Sequence, residues 1–187
     1  MQTEKVVSQP ELSPRLIRLF DEYLSEIPDF PIKGILFKDI APVLGRKGVL
    51  TDVISTLEPF ITPLDVDVIL AVDARGFILG GALAASLHTG FVMVRKPGKL
   101  PGKVQSFEYT CEYSSGTLEV SEGVIEKSAR CLIVDDLLAT GGTARATADF
   151  VYSLGANVVG YSFLVEIEAL KGRDRLTDSP VFTLFRS

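Results

Sequence analysis

The chain has 187 residues, the size of one domain, and with 47% hydrophobic and 23% charged residues it has an ordinary soluble composition. Nineteen Lys and Arg against 24 Asp and Glu give a net charge of -5, which argues against a general binder of nucleic acid or anionic membrane and leaves anions to local basic clusters. Cys111 and Cys131 make no disulfide framework and fit a reducing compartment, while a single His, His88, nearly excludes His-based zinc sites and Ser-His-Asp chemistry.

In chain order, the first ten residues are polar and are expected to fray. Leu12, Leu16, Leu19, Phe20, Tyr23, Leu24 and Ile27 recur at helical spacing behind Ser13-Pro14, a cap and first turn, and Pro28-Asp29-Phe30-Pro31 is the expected stop. A short apolar run follows at 35–37, then a helix over 49–61, a strand over 66–72, a helix over 76–88 and a strand over 91–94. A polar stretch rich in Gly, Lys and Pro occupies about 95–113. The apolar run 131–134 reads as a buried strand. The helix after it keeps Thr143, Thr147, Phe150, Val151 and Leu154 on one face and ends at Gly155. Strands over 158–165 and 181–185 close the sheet. Alternation of strands and helices predicts an α/β fold with a mainly parallel sheet, in one domain without repeats or linkers. No apolar run approaches the ~20 residues of a membrane span. The opening Met1-Gln2-Thr3-Glu4 lacks the blocks of a signal peptide, so a cytoplasmic location is expected.

The string from Cys131 to Thr143 carries the most chemistry. Four apolar residues end in Asp135 and Asp136, and a loop of small residues, Ala139-Thr140-Gly141-Gly142-Thr143, then opens a helix. Such a loop lets backbone N–H groups and hydroxyls converge on a phosphate at a helix N-terminus. Adjacent carboxylates are too costly to bury unpaired and need hydroxyls, a metal or water. Successive strand residues face opposite ways, so the pair does not simply grip one ion; accepting hydrogen bonds from a diol is the more natural use. No Gly-Lys-Ser/Thr follows, which excludes a P-loop, and no Gly-x-Gly-x-x-Gly follows a first strand. A phosphorylated sugar fits this string.

Three further segments carry alternatives. Asp73-Ala74-Arg75-Gly76 sits at a strand end: Arg75 can clamp a diphosphate and Gly76 permits close backbone approach, or Asp73 caps the helix and Arg75 is solvated. Residues 95–103 carry four cations, Arg95, Lys96, Lys99 and Lys103, on a Pro- and Gly-rich loop that closes over an anionic substrate or is a solvated surface loop. Glu108-Tyr109 and Glu112-Tyr113 are a lid tip over a reacting base, or strand residues alternating toward solvent.

The string 134–143 resembles the phosphoribosyl diphosphate (PRPP) motif of type I phosphoribosyltransferases. The resemblance runs from about residue 27 to the C-terminus, and its other segments are similar to the adenine phosphoribosyltransferase family: residues 27–31 with 34–40, Asp73-Ala74-Arg75-Gly76-Phe77, residues 95–102, Glu112-Tyr113, and Glu166-Ile167-Glu168-Ala169-Leu170-Lys171-Gly172-Arg173. It implies the type I fold, with a flexible catalytic loop over about 95–113 and an N-terminal arm and base-binding hood over about 1–40. It implies adenine and PRPP as substrates, AMP and diphosphate as products, and Mg²⁺ as cofactor, held mostly by substrate oxygens and water. By this resemblance Ala139, Thr140, Gly141, Gly142 and Thr143 hold the 5′-phosphate, and Asp135 and Asp136 face the ribose hydroxyls. Asp73, Ala74, Arg75 and Gly76 meet the diphosphate, through a cis peptide at Asp73–Ala74. Arg95 and Lys99 join the cations around the diphosphate, Arg95 reaching a neighbouring subunit's site in a homodimer. Leu36, Phe37 and Lys38 line the adenine pocket, with backbone atoms reading the base edge. Glu112 and Tyr113 close over the reaction centre. Two departures stand out: Ser114-Ser115-Gly116 follows Glu112-Tyr113 where a Gly is expected sooner, and Ala74 holds a position that is Ser in some relatives. The alternatives are transfer to another base, such as a 6-oxopurine or orotate, and a non-catalytic PRPP-sensing regulator.

Overall fold

The computed structural model describes residues 10–29, 33, 36–111 and 114–187. Five parallel strands form the central sheet in the order β4-β3-β7-β8-β9: β3 (Val68–Val72), β4 (Gly90–Val94), β7 (Arg130–Leu138), β8 (Asn157–Glu166) and β9 (Val181–Arg186). Strand β3 and the run Cys131–Val134 of β7 are apolar without a break because both their faces are covered, the rule for parallel sheets. In β7, Cys131 and Ile133 face one core, while Leu132 and Val134 face the other.

The two faces are covered differently. On one lie α1 (Pro14–Tyr23), α2 (Ala41–Leu44), α3 (Val49–Ile61) and α4 (Gly76–Leu87). Here α4 presses close to the sheet: a Cβ on Gly80 would come within 2.6 Å of the Ala71 Cβ. On the other face lie α5 (Gly142–Ser153) and a hairpin of β5 (Val104–Cys111) and β6 (Ser114–Ser121). The Phe107 ring stacks on Phe150 of α5 with centroids 4.5 Å apart, which fastens the hairpin to the helix.

Two expectations need correction. The first helix begins as expected, with Ser13 Oγ accepting from the Leu16 N–H, but it stops at Tyr23. Residues Ser25–Pro28 instead form β1, paired antiparallel with β2 (Leu36–Asp39). The apolar residues Leu24 and Ile27 continued the helical spacing by coincidence. Of the stretch 95–113, only the first part is loop. The rest is largely β5, in which Glu108 is exposed and Tyr109 packs on the core, as the strand alternative has it.

Candidate active site

The site lies at the carboxyl ends of β3, β4, β7 and β8, where open α/β sheets collect ligands. The strand β7 continues past its apolar run to Leu138, so Asp135 and Asp136 lie within it, Asp135 opposite Phe163 of β8. Ala139, Thr140 and Gly141 form the turn, and Gly142 already opens α5. Gly141 adopts φ 77°, a backbone region that a side chain disfavours. No side chain caps α5, so the N–H groups of its first turn point outward without intrahelical partners. They border a cavity of about 120 Å³ that Asp135, Thr140, Gly141 and Thr143 help to line. The helix α4 starts in the same way after β3, again with no capping side chain. Two uncapped helix N-termini therefore open at one end of the sheet, each a place for an anion.

Charged side chains connect the two. Arg75 Nε lies 2.8 Å from Oδ2 of Asp136, and its guanidinium carbon sits 4.6 Å from the centre of the Phe37 ring. Arg75 thus bridges strand β2, the loop after β3 and the carboxylates of β7. Asp73 is not a helix cap: its Oδ2 accepts from Arg95 Nε at 3.1 Å, and the Asp73–Ala74 peptide is cis. Arg95 also donates through Nη1 to the Lys99 carbonyl at 3.0 Å, so it ties the loop after β4 to the loop after β3 of its own chain. Its backbone pairs with Glu119 of β6, whose carboxylate accepts from the Gly98 N–H at 2.9 Å. Lys99 is exposed. Lys38 is buried with its amine paired to Glu26 across the hairpin, which leaves its backbone, not its charge, for a ligand. Phe37 is half-buried, and Leu36 opens β2 beside it. Glu112 and Tyr113 lie outside the described residues.

Burial, then the neighbouring Asp136 charge, raises the Asp135 carboxyl well above the ordinary value of 3.8, against the pull of the Asp136 N–H that Oδ1 accepts at 2.8 Å. Burial also raises Asp136, with the Arg75 charge opposing it. Oδ2 of Asp136 is close to Arg75 but receives no well-directed hydrogen bond. A buried acceptor left in that state suits an incoming hydroxyl.

One support was not legible as a site in the sequence. Glu166, buried at the end of β8, accepts from Arg173 Nε at 3.0 Å and Nη2 at 2.6 Å and from the Thr183 hydroxyl at 2.9 Å. Burial alone would raise the Glu166 carboxyl. The Arg173 and Thr183 hydrogen bonds, with the Arg173 and Arg186 charges, outweigh it and hold the group below its ordinary 4.5. Its stabilising contribution is therefore complete above 4.5 and disappears as pH falls through the lowered value. Thermal melting followed below about pH 4.5 is expected to lose stability less steeply in Glu166→Gln than in the wild type.

Such a site, with two anion-receptive helix starts around a carboxylate pair, defines a sugar-phosphate transferase, and the profile of the phosphoribosyl transferase domain matches residues 60–185. The chain belongs to the adenine phosphoribosyltransferase family. It is 62% identical over 162 residues to adenine phosphoribosyltransferase 2 of Rhizobium etli, covering 87% of this chain and 88% of the relative. The crystal structure of adenine phosphoribosyltransferase from Thermoanaerobacter pseudethanolicus superposes with a TM-score of 0.86 at 44% identity, covering 92% of this chain and 99% of that one. The Saccharomyces cerevisiae enzyme, solved with adenine and an imino-altritol bisphosphate, gives a TM-score of 0.80 at 38% identity, covering 90% and 98%.

Proposed function

We propose that this chain transfers the 5-phosphoribosyl group of PRPP to N9 of adenine, giving AMP and diphosphate in purine salvage. The observation that carries the assignment within the site is the pair of uncapped helix starts with Asp135 and Asp136 between them. A sugar with a phosphate at one end and a diphosphate at the other supplies one anion for each helix start. Adenine as the acceptor rests on the family.

The α5 turn, Ala139 to Thr143, holds the 5′-phosphate. Asp135 and Asp136 accept hydrogen bonds from the ribose hydroxyls. Arg75, Arg95 and Lys99 face the diphosphate with the backbone of Asp73 to Gly76. The backbone of Leu36 and Lys38 reads the donor amine and acceptor nitrogen of adenine beside Phe37. Adenine N9 forms the new bond to the anomeric carbon as the bond to the diphosphate oxygen breaks, and N9 gives up its proton. The transition state is oxocarbenium-like, so the carboxylates below the sugar and the cations around the leaving group both favour it. Mg²⁺ is the implied cofactor. Asp73 and Asp136 are each paired to an arginine, and no three His, Cys, Asp or Glu among the described residues group as a metal site, so substrate oxygens and water would hold most of the ion's shell. Mg²⁺ would offset the charge of the leaving diphosphate.

Glu112 takes the adenine proton directly or through water. Glu112→Gln is expected to lower kcat at least about 10-fold, measured under saturation with both substrates; unchanged kcat in both Glu112→Gln and Glu112→Ala would remove this role.

A homodimer and a cytoplasmic location complete the proposal. An exposed apolar face favours the dimer: Ile78, Phe91 and Met93 are 46%, 40% and 39% exposed, and Phe77 beneath them touches both the Phe91 ring and Arg95. Arg95 thus stands at the margin of the face a partner would cover. Light scattering is expected to give about twice 20.3 kDa, and Phe91→Asp about once. No described helix is long and apolar enough to cross a membrane. The direct test of the reaction is release of one diphosphate per AMP when adenine is added to protein, PRPP and Mg²⁺.

A further inference from the structure

The segment from Ile167 to Arg173 has no role in the reaction as described, yet it leans on the turn assigned to the 5′-phosphate. A Cβ on Gly141 would fall 2.5 Å from the Gly172 carbonyl oxygen, and one on Gly172 would fall 2.2 Å from the Ala139 carbonyl oxygen and 2.9 Å from Leu138 Cδ1. The two backbones are in contact with no side chain between them. Both obstacles nearest Gly172 belong to the phosphate turn or the end of β7.

The Gly172 side of this contact is fixed to the sheet. Arg173, the next residue, grips buried Glu166 with two nitrogens and donates through Nη1 to the Val181 carbonyl at 2.7 Å. Thr183 on β9 donates to the same carboxylate. Bidentate pairing fixes direction as well as distance. The Ala139–Gly141 turn, with Gly141 in the left-handed region, has no side-chain cap of its own to fix it.

We propose that Gly172, held in place by the Glu166–Arg173 pair, is a positioning residue that sets the turn Ala139–Gly141 at the height where the N–H groups at the start of α5 meet the 5′-phosphate. This rests on the phosphate assignment above. Contact at Gly172 sets where the amides point without touching substrate. Its loss therefore weakens the grip on the phosphate and leaves the diphosphate end, on β3 and β4, unaffected.

The test compares ribose 5-phosphate and inorganic diphosphate as separate ligands of the wild type, Gly172→Ala and Arg173→Lys, with steady-state kinetics beside them. In Gly172→Ala the new methyl group meets the Ala139 carbonyl and displaces the turn. Displacements of this order reduce rates or binding about 10- to 100-fold. The expected result is ribose 5-phosphate affinity and KM for PRPP weakened by about that factor, with diphosphate affinity and kcat changing less than about 3-fold. Arg173→Lys, which keeps the charge but loses the fork, is expected to show the same split more weakly. Should Gly172→Ala fail to fold, Arg173→Lys decides. Wild-type ribose 5-phosphate affinity in the folded variants, or equal losses at both ends, would overturn the inference. If ribose 5-phosphate fails to shift the Gly142 and Thr143 amide resonances of the wild type, the phosphate assignment itself falls, and the inference with it.

Discussion

Asp135→Asn and Asp136→Asn are each expected to lower kcat/KM for PRPP by about 10²- to 10³-fold while the fold survives, the scale seen when one preorganised electrostatic group is removed from a transition state. On the proposed reading the two effects separate, because the carboxylates then serve the substrate more than the fold. Both are pushed upward by burial, and Asp135 further by its neighbour, so ionising Asp135 at neutral pH works against the folded state. An amide at 135 keeps the acceptor for the Asp136 N–H and removes that charge. Asp135→Asn is therefore expected to melt at or above the wild-type temperature. The same shift sets a pH dependence. With ionised carboxylates needed in the proposed reaction, activity is expected to decline as pH falls through values above the ordinary 3.8, which sets the acid limb of kcat/KM correspondingly high. A variant that loses activity together with its fold would refute this separation.

Arg75→Met is the second large effect, and its signature is the reverse. Charge-assisted hydrogen bonds to a diphosphate contribute about 1.5–3 kcal/mol, so kcat/KM for PRPP is expected to drop roughly 10- to 100-fold. Stability falls too, because Asp136 is left buried with no cation at 2.8 Å. Removing one partner of a fully buried pair costs several kcal/mol, but Arg75 is 37% exposed, so about 1–2 kcal/mol is the expected loss. Adding Asp136→Asn to Arg75→Met removes the stranded charge. Urea unfolding of the double variant is expected to recover most of the stability while activity stays low. If stability does not recover, the Arg75–Asp136 contact is not what holds this corner together.

Sequence periodicity was sufficient where an element has one clear environment. Helix α3 and the strands β3, β7, β8 and β9 follow from apolar runs that a parallel sheet buries on both faces. The turn at 139–141 and the helix start after it were legible because small residues in a row follow a buried strand; a phosphate there is the proposed reading. Legibility failed where the deciding partner is distant in sequence. Leu24 and Ile27 keep helical spacing, but Ile27 pairs with Phe37 across β1 and β2, and the backbone pairing with residues 36–39 decides. Glu119 looks like one more strand carboxylate, yet it receives both the Arg95 backbone and the Gly98 N–H. The Arg75–Asp136 pair and the Gly141–Gly172 contact each join segments that no local pattern connects. Gly172 in particular leaves no signal of its own, because its function is the absence of a side chain at one backbone crossing.

Two features of the site make sense together in this light. Arg75 lies between the Phe37 ring and the β7 carboxylates, so under the proposed assignments one residue would serve the diphosphate, the base side and the sugar side. Arg75 and Arg95 are therefore held by carboxylates, while Lys99 is exposed. The two guanidiniums are pre-paired with Asp136 and Asp73, and in the proposed reaction PRPP would exchange those partners for its own oxygens. Pre-pairing keeps the cations ordered near the positions they take around the leaving group, which is the economy of a preorganised site.

The choice of base is the central claim, and it is tested most directly by measuring kcat/KM for adenine, hypoxanthine, guanine and orotate with the same protein, PRPP and Mg²⁺. Adenine is expected to give AMP at a kcat/KM at least about 10³-fold above each of the others, because a backbone acceptor facing the adenine amine is left unpaired by an oxo group. Well-folded protein that makes no AMP and yet forms a nucleotide from one of the other bases would contradict it.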